Sequence, residues 1–371
     1  LTISGTIADA SGKTASLEKV GYGILTLAGA NTYQGTTTVK QGQLRIIHGQ
    51  ALGSPAAGTV VENGAMLRID SSYDITGGIT VTGETLRIQG TGPNQDTAAL
   101  YNNWGENTWA GPVILTGNTT IQVETPYSES WKSKLTISGN ISEEDGSWTL
   151  TKGRGSGTLV LSGANTYTGG TTVTAGKLLV NNTSGSGTGS GAVTVGSSDP
   201  NNPAVLGGTG TVGGDVTIQS GGQLTAGDVR TSLGDNSLAI GGNLTMQSGS
   251  TWVVDIFGND YASATWDLID LTGNAVFPGP SGSTTLTVNV LGGFVPTSSN
   301  PITILKAASI TGITIGADGI PTAGIVFNPT GPGSPYSSWR LAIVSLADGR
   351  YGLNLWAAPE PSTWLMLLVG G

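Results

Sequence analysis

Residues 157–180 read GTLVLSGANTYTGGTTVTAGKLLV and predict the architecture of the chain. Short runs rich in Thr, Val and Leu predict three strands, because β-branched and aliphatic residues favour extended backbone. These strands are Thr158–Leu161, Thr171–Val173 and Lys177–Val180. Gly, Asn and Ser fill the intervals and predict turns. The stretch is therefore a module of short strands joined by tight turns, and we interpret Asn165–Tyr167 and Gly169–Gly170 as corner and packing residues.

The same module occurs earlier, as GILTLAGANTYQGTTTVKQGQLRI at residues 23–46. LTISG at 1–5 recurs at 135–139, and GANTY at 29–33 recurs at 163–167, so both motifs return at the same offset. A long-period repeat of short strands is typical of a solenoid, in which each strand pairs with the equivalent strand one coil further on. We expect coils of roughly 20–25 residues.

The composition also favours β-structure. Gly accounts for 61 of the 371 residues, and charged residues make up only 11%. Each helical Gly costs about 1 kcal/mol relative to Ala, so long helices are disfavoured. A disordered solvated chain needs far more charge than this. A β-sandwich, with strand signals about every 8–12 residues, stays open as an alternative to the solenoid.

The charge balance and the absence of cysteine exclude several functions. The formal net charge is −9 and there is no run of basic residues, so a nucleic-acid partner is not expected. The chain has no Cys, which removes thiol catalysis and zinc–thiolate sites.

The residue composition and the length of the apolar runs change in the C-terminal third of the chain. Apolar runs lengthen from about Trp252, as in TWVVDIF at 251–257 and YGLNLW at 351–356, and Pro is frequent between Pro278 and Pro335. A solenoid must shield its last coil, so we interpret this part as terminal coils and a β-rich cap.

These features divide the chain into four predicted parts. They are a first repeat unit at 1–134, a second repeat unit at 135–250, terminal coils with the cap at 251–357, and a tail at 358–371.

Few residues offer catalytic chemistry. The only histidine, His48, would have to serve any Ser-His-Asp relay, but the second copy has Asn182 at that offset. The cluster Glu143–Asp145 could form a calcium-binding turn or a solvated turn. Lys152 and Arg154 follow it and could complete a site for cleaving acidic polysaccharides. We predict no catalytic residue, metal or cofactor, and hence no enzyme.

Aromatic residues are concentrated between the two copies. Trp104, Trp109 and Trp131 could stack on sugar rings, since an aromatic side chain combines an apolar face with a polar handle. The alternative is that these side chains fill the solenoid core or its corners. Both interpretations remain open from the sequence.

The repeated stretch resembles the autotransporter-associated β-strand repeat, also called the passenger-associated transport repeat. Residues 100–121, 135–141 and 205–228 also resemble passages that accompany this repeat. The resemblance implies a right-handed parallel β-helix in a large exported bacterial surface protein. It carries no catalytic motif, so it assigns no catalytic residue.

The C-terminal tail resembles a PEP-CTERM sorting signal. Pro359, Glu360 and Pro361 match the signature tripeptide, and the apolar run Trp364–Val369 follows. The resemblance implies processing by an exosortase-type enzyme. The run is shorter than the roughly 20 residues of a spanning helix and no basic cluster follows, so either the tail is cleaved or the sequence is truncated.

We therefore expect a secreted, non-catalytic structural protein of the cell surface or extracellular matrix of a Gram-negative-type bacterium. Stacking of end coils would build a head-to-tail polymer. The tail would supply a subunit contact through Trp364, Leu365, Met366, Leu367, Leu368 and Val369. A surface adhesin that binds extracellular polysaccharide is one alternative, and a polysaccharide-degrading β-helix enzyme is another.

Overall fold

The fold comes from a computed structural model that describes residues 1–71, 78–93, 98–124, 133–228, 236–258, 265–291, 295–327 and 339–357. The chain forms two compact units. Unit one comprises Leu1–Leu206 and Gly210–Gly214, and unit two comprises Gly207–Thr209 and Asp215–Gly371.

The described residues form strands throughout, with one short 3₁₀ helix at Gly279–Ser281. The strands up to the end of unit one are β1 (Thr2–Ile3), β2 (Leu17–Lys19), β3 (Ile24–Leu27), β4 (Thr37–Val39), β5 (Gly42–Ile46), β6 (Thr59–Val61), β7 (Ala65–Asp70), β8 (Thr80–Val81), β9 (Leu86–Gly90), β10 (Leu100–Trp104), β11 (Glu106–Trp109), β12 (Val113–Val123), β13 (Lys134–Ile137), β14 (Ile141–Glu143), β15 (Leu150–Lys152), β16 (Thr158–Leu161), β17 (Thr171–Val173), β18 (Gly176–Val180), β19 (Val193–Val195), β20 (Ala204–Gly208) and β21 (Thr211–Val212). Those that follow are β22 (Val216–Ile218), β23 (Gly222–Leu224), β24 (Ser237–Ile240), β25 (Leu244–Met246), β26 (Thr251–Phe257), β27 (Thr265–Trp266), β28 (Leu268–Leu271), β29 (Asn274–Val276), β30 (Ser283–Val290), β31 (Ile302–Ala307), β32 (Ser309–Thr311), β33 (Thr314–Ile315), β34 (Pro321–Phe327), β35 (Trp339–Ser345) and β36 (Tyr351–Ala357).

Unit one is a parallel solenoid with three faces. Face A stacks β1, β3, β5, β7, β10, the second half of β12, β15, β17 and β19. Face B stacks β8, β11, β13, β16 and β18, and face C stacks β2, β4, β6, β9, the first half of β12 and β14. Every one of these pairs is parallel, so the predicted parallel β-solenoid is confirmed.

The length of a coil follows from the register of paired strands. Leu44 pairs with Leu67, a step within the expected roughly 20–25 residues. Thr26 pairs with Arg45, which is a shorter step along the sequence, whereas Leu67 pairs with Leu100, which is a much longer one. The expected length therefore describes a typical coil, while the loops between strands absorb the variation.

The two sequence copies occupy different faces. In the first copy β3 and β5 pair on face A, and in the second copy the equivalent β16 and β18 pair on face B. The predicted strands at Thr158–Leu161 and Thr171–Val173 are confirmed, and the third begins one residue earlier than expected, at Gly176. The repeat therefore returns after a whole number of coils plus one face.

The core lies inside the coils, because alternate side chains of each strand point inward. Leu44, Leu67, Leu100 and Ile121 stack in register along face A, and none is more than 1% exposed. Burial of such a side chain contributes about 1.5–3 kcal/mol. The continuous apolar stack explains how a chain without disulfides maintains its fold.

Unit two also begins as parallel coils. The three stacks are β22–β25–β29–β32, β23–β26–β30–β34 and β24–β28–β31. The third stack then changes direction, because β31 pairs antiparallel with β36 and β36 pairs antiparallel with β35. This antiparallel end lies where the sequence predicts a β-rich cap. Within the described residues, no helix is long and apolar enough to cross a membrane.

Candidate functional site

The asparagine of the repeated GANTY motif connects three coils. The Asn165 side chain accepts a hydrogen bond from the Ile141 amide (2.7 Å) and donates one to the Gly187 carbonyl (2.6 Å). Ile141 lies one coil before Asn165 and Gly187 one coil after it. Asn31 makes the same pair of bonds in the first copy, with the Ile7 amide and the Ala51 carbonyl. We call this pair of bonds the coil staple.

The tyrosine of the same motif is a core residue. Tyr167 is fully buried, and its hydroxyl lies 2.6 Å from the hydroxyl of Thr171. Burial raises its pKa, so the hydroxyl stays protonated and can donate. At Gly170 φ is +89°, and an added Cβ would lie 2.7 Å from the Ala192 carbonyl oxygen. The predicted corner and packing roles of Asn165–Tyr167 and of Gly170 are confirmed.

A buried lysine also links neighbouring coils. Lys152 is fully buried and donates to the carbonyls of Gly153, Gly155 and Ala175 at 2.9–3.1 Å. Desolvation by burial lowers the pKa of Lys152 to about 7, while the negative charge of Glu124 acts in the opposite direction. Lys19 is its counterpart in the first copy. Lys152 is thus committed to the backbone and does not join an acidic site at Glu143–Asp145.

The acidic turn uses its carboxylates internally. Glu143 accepts hydrogen bonds from the amides of Trp148 and Thr168, and Glu144 pairs with Arg87 at 2.9 Å. Asp9 plays the role of Glu143 in the first copy. Among the described residues, no group of three or more His, Cys, Asp or Glu side chains could hold a metal ion. The geometry favours a turn over a calcium site.

His48 lies in the turn that follows β5. Its Nδ1 accepts a hydrogen bond from the Gln50 amide at 3.0 Å, two residues further on. This bond closes the turn locally, which is the structural role that the geometry gives to the imidazole.

The structure describes two of the three tryptophans of the predicted aromatic platform. Trp109 is fully buried on β11, so it cannot offer its ring to a sugar from this position. Trp104 is half-buried at the end of β10, on another face. Trp131 lies outside the described residues. The two described tryptophans, Trp104 and Trp109, therefore do not form one exposed surface.

Face A instead carries an outward cluster of charged and aromatic side chains. Arg45 on β5 and Arg68 on β7 both donate through Nε to Oδ2 of Asp70, at 2.5 and 2.9 Å. The Asp70 side chain is fully buried, while those of Arg45 and Arg68 are 34% and 23% exposed. The other carboxylate oxygen of Asp70, Oδ1, is buried and has no hydrogen-bond partner within the described structure.

The cluster continues onto the next two strands. The Arg68 guanidinium lies over the Tyr101 ring, 5.5 Å from its centroid. Glu124, just after β12, accepts a hydrogen bond from Gln122. Burial and the nearby Glu124 charge raise the pKa of Tyr101 to about 12. We call Arg45, Arg68, Asp70, Tyr101 and Glu124 the arginine–tyrosine face.

Sequence reasoning missed this face, although one signal was present. The tripeptide Leu-Arg-Ile occurs three times, centred on Arg45, Arg68 and Arg87. Arg45 and Arg68 are paired in register on face A. Arg87 pairs with Val60 and Ile114 on face C. The tripeptide marks outward arginines, but only the coil register shows which of them meet.

Two further carboxyl groups are buried without a cationic partner among the described residues. Glu84 is 2% exposed, accepts a bond from the Thr59 hydroxyl at 2.7 Å, and lines a cavity of about 220 Å³. Burial raises its pKa to about 7. In unit two, burial raises the pKa of Asp267 to about 7, and the amide of Asn236 donates to it.

The predicted tail functions fall outside the described residues. This applies to the sorting tripeptide Pro359, Glu360 and Pro361 and to the apolar run Trp364–Val369. Both remain predictions.

The fold and its coil staples together define the chain as a parallel β-solenoid repeat protein. Two segments, residues 17–46 and 154–180, match the family model described as the passenger-associated-transport-repeat. These segments contain the stapling asparagines and the buried tyrosines of the two copies. The chain therefore contains two segments similar to the passenger-associated transport repeat, in agreement with the resemblance noted from the sequence.

A curated relative has a distantly similar sequence. The adhesin BmaC autotransporter of Brucella suis biovar 1 (strain 1330) is 29% identical over 247 residues. The match covers 47% of this chain and 7% of the relative. The chain thus spans a small part of the length of that protein.

Proposed function

We propose that the protein is a passenger-type β-solenoid that is exported and displayed on a Gram-negative bacterial surface, where it acts without catalysis. The observation that carries this proposal is the repeated coil staple. In both matched segments a buried Asn holds one coil to the next and a buried Tyr fills the core. The side chains identified in these segments therefore serve the scaffold, as expected of a structural passenger.

The test is localisation together with an activity screen. Intact cells expressing the full natural gene are treated with protease, and the remaining chain is measured by immunoblot. Loss of the chain while a periplasmic marker survives supports surface display, whereas full protection contradicts it. Release of new reducing ends from a panel of polysaccharides would contradict the non-catalytic role.

The finer part of the proposal is end-to-end association. β1 pairs with β3 and β2 pairs with β4, both in parallel. The end coil of such a parallel stack can accept the strands of a second copy. Large apolar side chains are exposed nearby: Leu1 is 85%, Val20 is 59% and Tyr22 is 82% exposed. A coil of a second copy would cover them. Such a head-to-tail contact does not close and would build filaments.

Light scattering and electron microscopy of the purified chain test this association. Val20→Lys combined with Tyr22→Lys should abolish concentration-dependent assembly. Thr38→Lys, an outward substitution on β4, is the control and should leave it intact. A wild-type chain that stays monomeric at all concentrations contradicts the association but leaves surface display standing.

The tail completes the proposal. We assign Pro359, Glu360 and Pro361 to a sorting signal read by an exosortase-type enzyme, and Trp364–Val369 to a subunit contact of unprocessed chains. Mass spectrometry of the C-terminus isolated from cells tests the first assignment. A chain that retains the tripeptide and everything after it contradicts processing. Filaments unchanged by deletion of 362–371 contradict the second.

A further inference from the structure

The arginine–tyrosine face has the features of a binding surface. We propose that it binds an extended oligosaccharide carrying a carboxylate, such as a uronic-acid chain. This inference rests on the proposed surface display, because a displayed face can reach extracellular polysaccharide. It goes beyond that function by naming the residues and the chemical class of the ligand.

The spacing of the face matches a linear ligand. Arg45, Arg68, Tyr101 and Gln122 are paired in register on four successive coils. Neighbouring coils lie about 4.8 Å apart, so the row extends about 14 Å along the stack. Each coil therefore advances by nearly the length of one sugar unit in an extended chain. A row of this length would contact about three sugar units.

The distribution of charge along the face predicts how the ligand is oriented, with its carboxylate at the β5–β7 end. Asp70 balances one of the two guanidinium charges, so the β5–β7 end of the face has an excess positive charge. Arg45 and Arg68 both donate to Asp70 through Nε. Among the described residues, the two terminal nitrogens of Arg45 therefore donate to no acceptor. Those nitrogens form the planar fork that binds carboxylates bidentately. Glu124 lies at the opposite end and can accept bonds from neutral hydroxyl groups.

The unpartnered oxygen of Asp70 is a second, independent indication of a ligand. A buried carboxylate oxygen without a hydrogen bond is destabilising, because nothing compensates the loss of its hydration. Oδ1 of Asp70 is such an atom, and it belongs to the carboxylate that Arg45 holds through Nε. A hydroxyl donor of a bound sugar would satisfy it after a small rearrangement of Arg45.

The environment of Tyr101 limits stacking of a sugar on its ring. The Arg68 guanidinium already lies over the Tyr101 ring, so that side of the ring is not available to a sugar. Recognition on this face therefore depends on charge and hydrogen bonds. A nucleic-acid partner is not expected, because the formal net charge is −9 and the sequence has no run of basic residues.

Isothermal titration calorimetry with uronic-acid tetrasaccharides tests the proposal. Galacturonate, mannuronate and glucuronate-containing tetramers are compared with the methyl ester of the galacturonate tetramer. We expect saturable binding of at least one acid form and at least tenfold weaker binding of the ester. Raising the salt concentration should weaken acid binding, because exposed charges are screened. Absence of saturable binding, or equal binding of acid and ester, overturns the inference.

Matched arginine variants locate the site. Arg45→Gln should weaken binding of the acid at least tenfold. Arg87→Gln, in the same tripeptide on face C, should bind like the wild type. An unchanged affinity of Arg45→Gln with unchanged circular dichroism contradicts the assignment. Surface display of Arg45→Gln is measured in parallel: loss of binding by a displayed variant supports the site, while failure of display concerns the proposed function alone.

Discussion

Replacing Asn165 by Ala tests the coil staple directly. The substitution removes two hydrogen bonds and leaves the Ile141 amide and the Gly187 carbonyl without their partner. Both bonds are buried, and Asn165 itself is only 5% exposed, so water cannot easily replace them. Each orphaned group costs about 1–3 kcal/mol. The expected loss in the free energy of unfolding is therefore about 3 kcal/mol.

The first copy supplies an internal comparison. Asn31 makes the equivalent bonds, but its bond to the Ile7 amide is only partly buried. Water can satisfy that amide in Asn31→Ala, so the expected loss is about half as large. The structure thus predicts an order of stability as well as a magnitude: wild type, then Asn31→Ala, then Asn165→Ala.

Urea unfolding monitored by tryptophan fluorescence measures the loss, and hydrogen exchange locates it. Peptides containing Ile141 should exchange faster in Asn165→Ala than in the wild type. Thr172→Ala, a half-buried outward residue of β17, is the control and should cost less than about 1 kcal/mol. A loss below about 1 kcal/mol for Asn165→Ala, or a reversed order of the two asparagine variants, would refute the staple.

Two further predictions concern buried charged groups. Lys152→Met should reduce the free energy of unfolding by about 2–4 kcal/mol in urea titrations, because three carbonyls lose their donor. Glu84 takes up a proton on folding, because its pKa rises from 4.5 to about 7. The contribution of Glu84 to stability, measured by urea unfolding as the difference between the wild type and Glu84→Gln, should therefore fall as pH increases from about 4.5 to about 7 and then level off. The pH dependence due to Asp267, whose pKa also rises to about 7, should persist in Glu84→Gln.

Substitutions of exposed residues provide the controls for Lys152→Met and for Glu84→Gln. Lys134 and Glu106 form an ion pair in which both side chains remain at least 39% exposed. Lys134→Met should cost less than about 1 kcal/mol, as is usual for such pairs. Glu106→Gln should leave the pH profile unchanged. Equal losses for Lys152→Met and Lys134→Met, or a Glu84→Gln profile that still follows the wild type, would contradict these assignments.

Much of the fold was predictable because its signals are local. Strands β16 and β17 begin and end where the Thr and Val runs do, and positive φ at Gly170 follows from the only residue type that adopts it readily. The corner role of Asn165 was also predictable. Its two partners were not, since they lie one coil before and one coil after it.

The arginine–tyrosine face was not predictable because it depends on register. Arg45 and Asp70 lie on successive coils, and the sequence interval between paired residues differs from coil to coil in unit one. A fixed repeat length read from the sequence therefore does not predict that these side chains are neighbours. Trp109 shows the same limitation, because only the coil geometry decides between an inward and an outward tryptophan.

The shift of the repeat by one face has a consequence for valency. The sequence contains two copies of the module, yet the strands β3 and β5 of the first copy lie on face A, and the strands β16 and β18 of the second copy lie on face B. The outer surfaces of the two copies therefore point in different directions. A partner with a single flat binding surface can therefore contact only one copy of the module at a time. Although the sequence shows two copies, such a partner would bind the pair with the affinity of one copy, and avidity would require a partner that wraps around the coil.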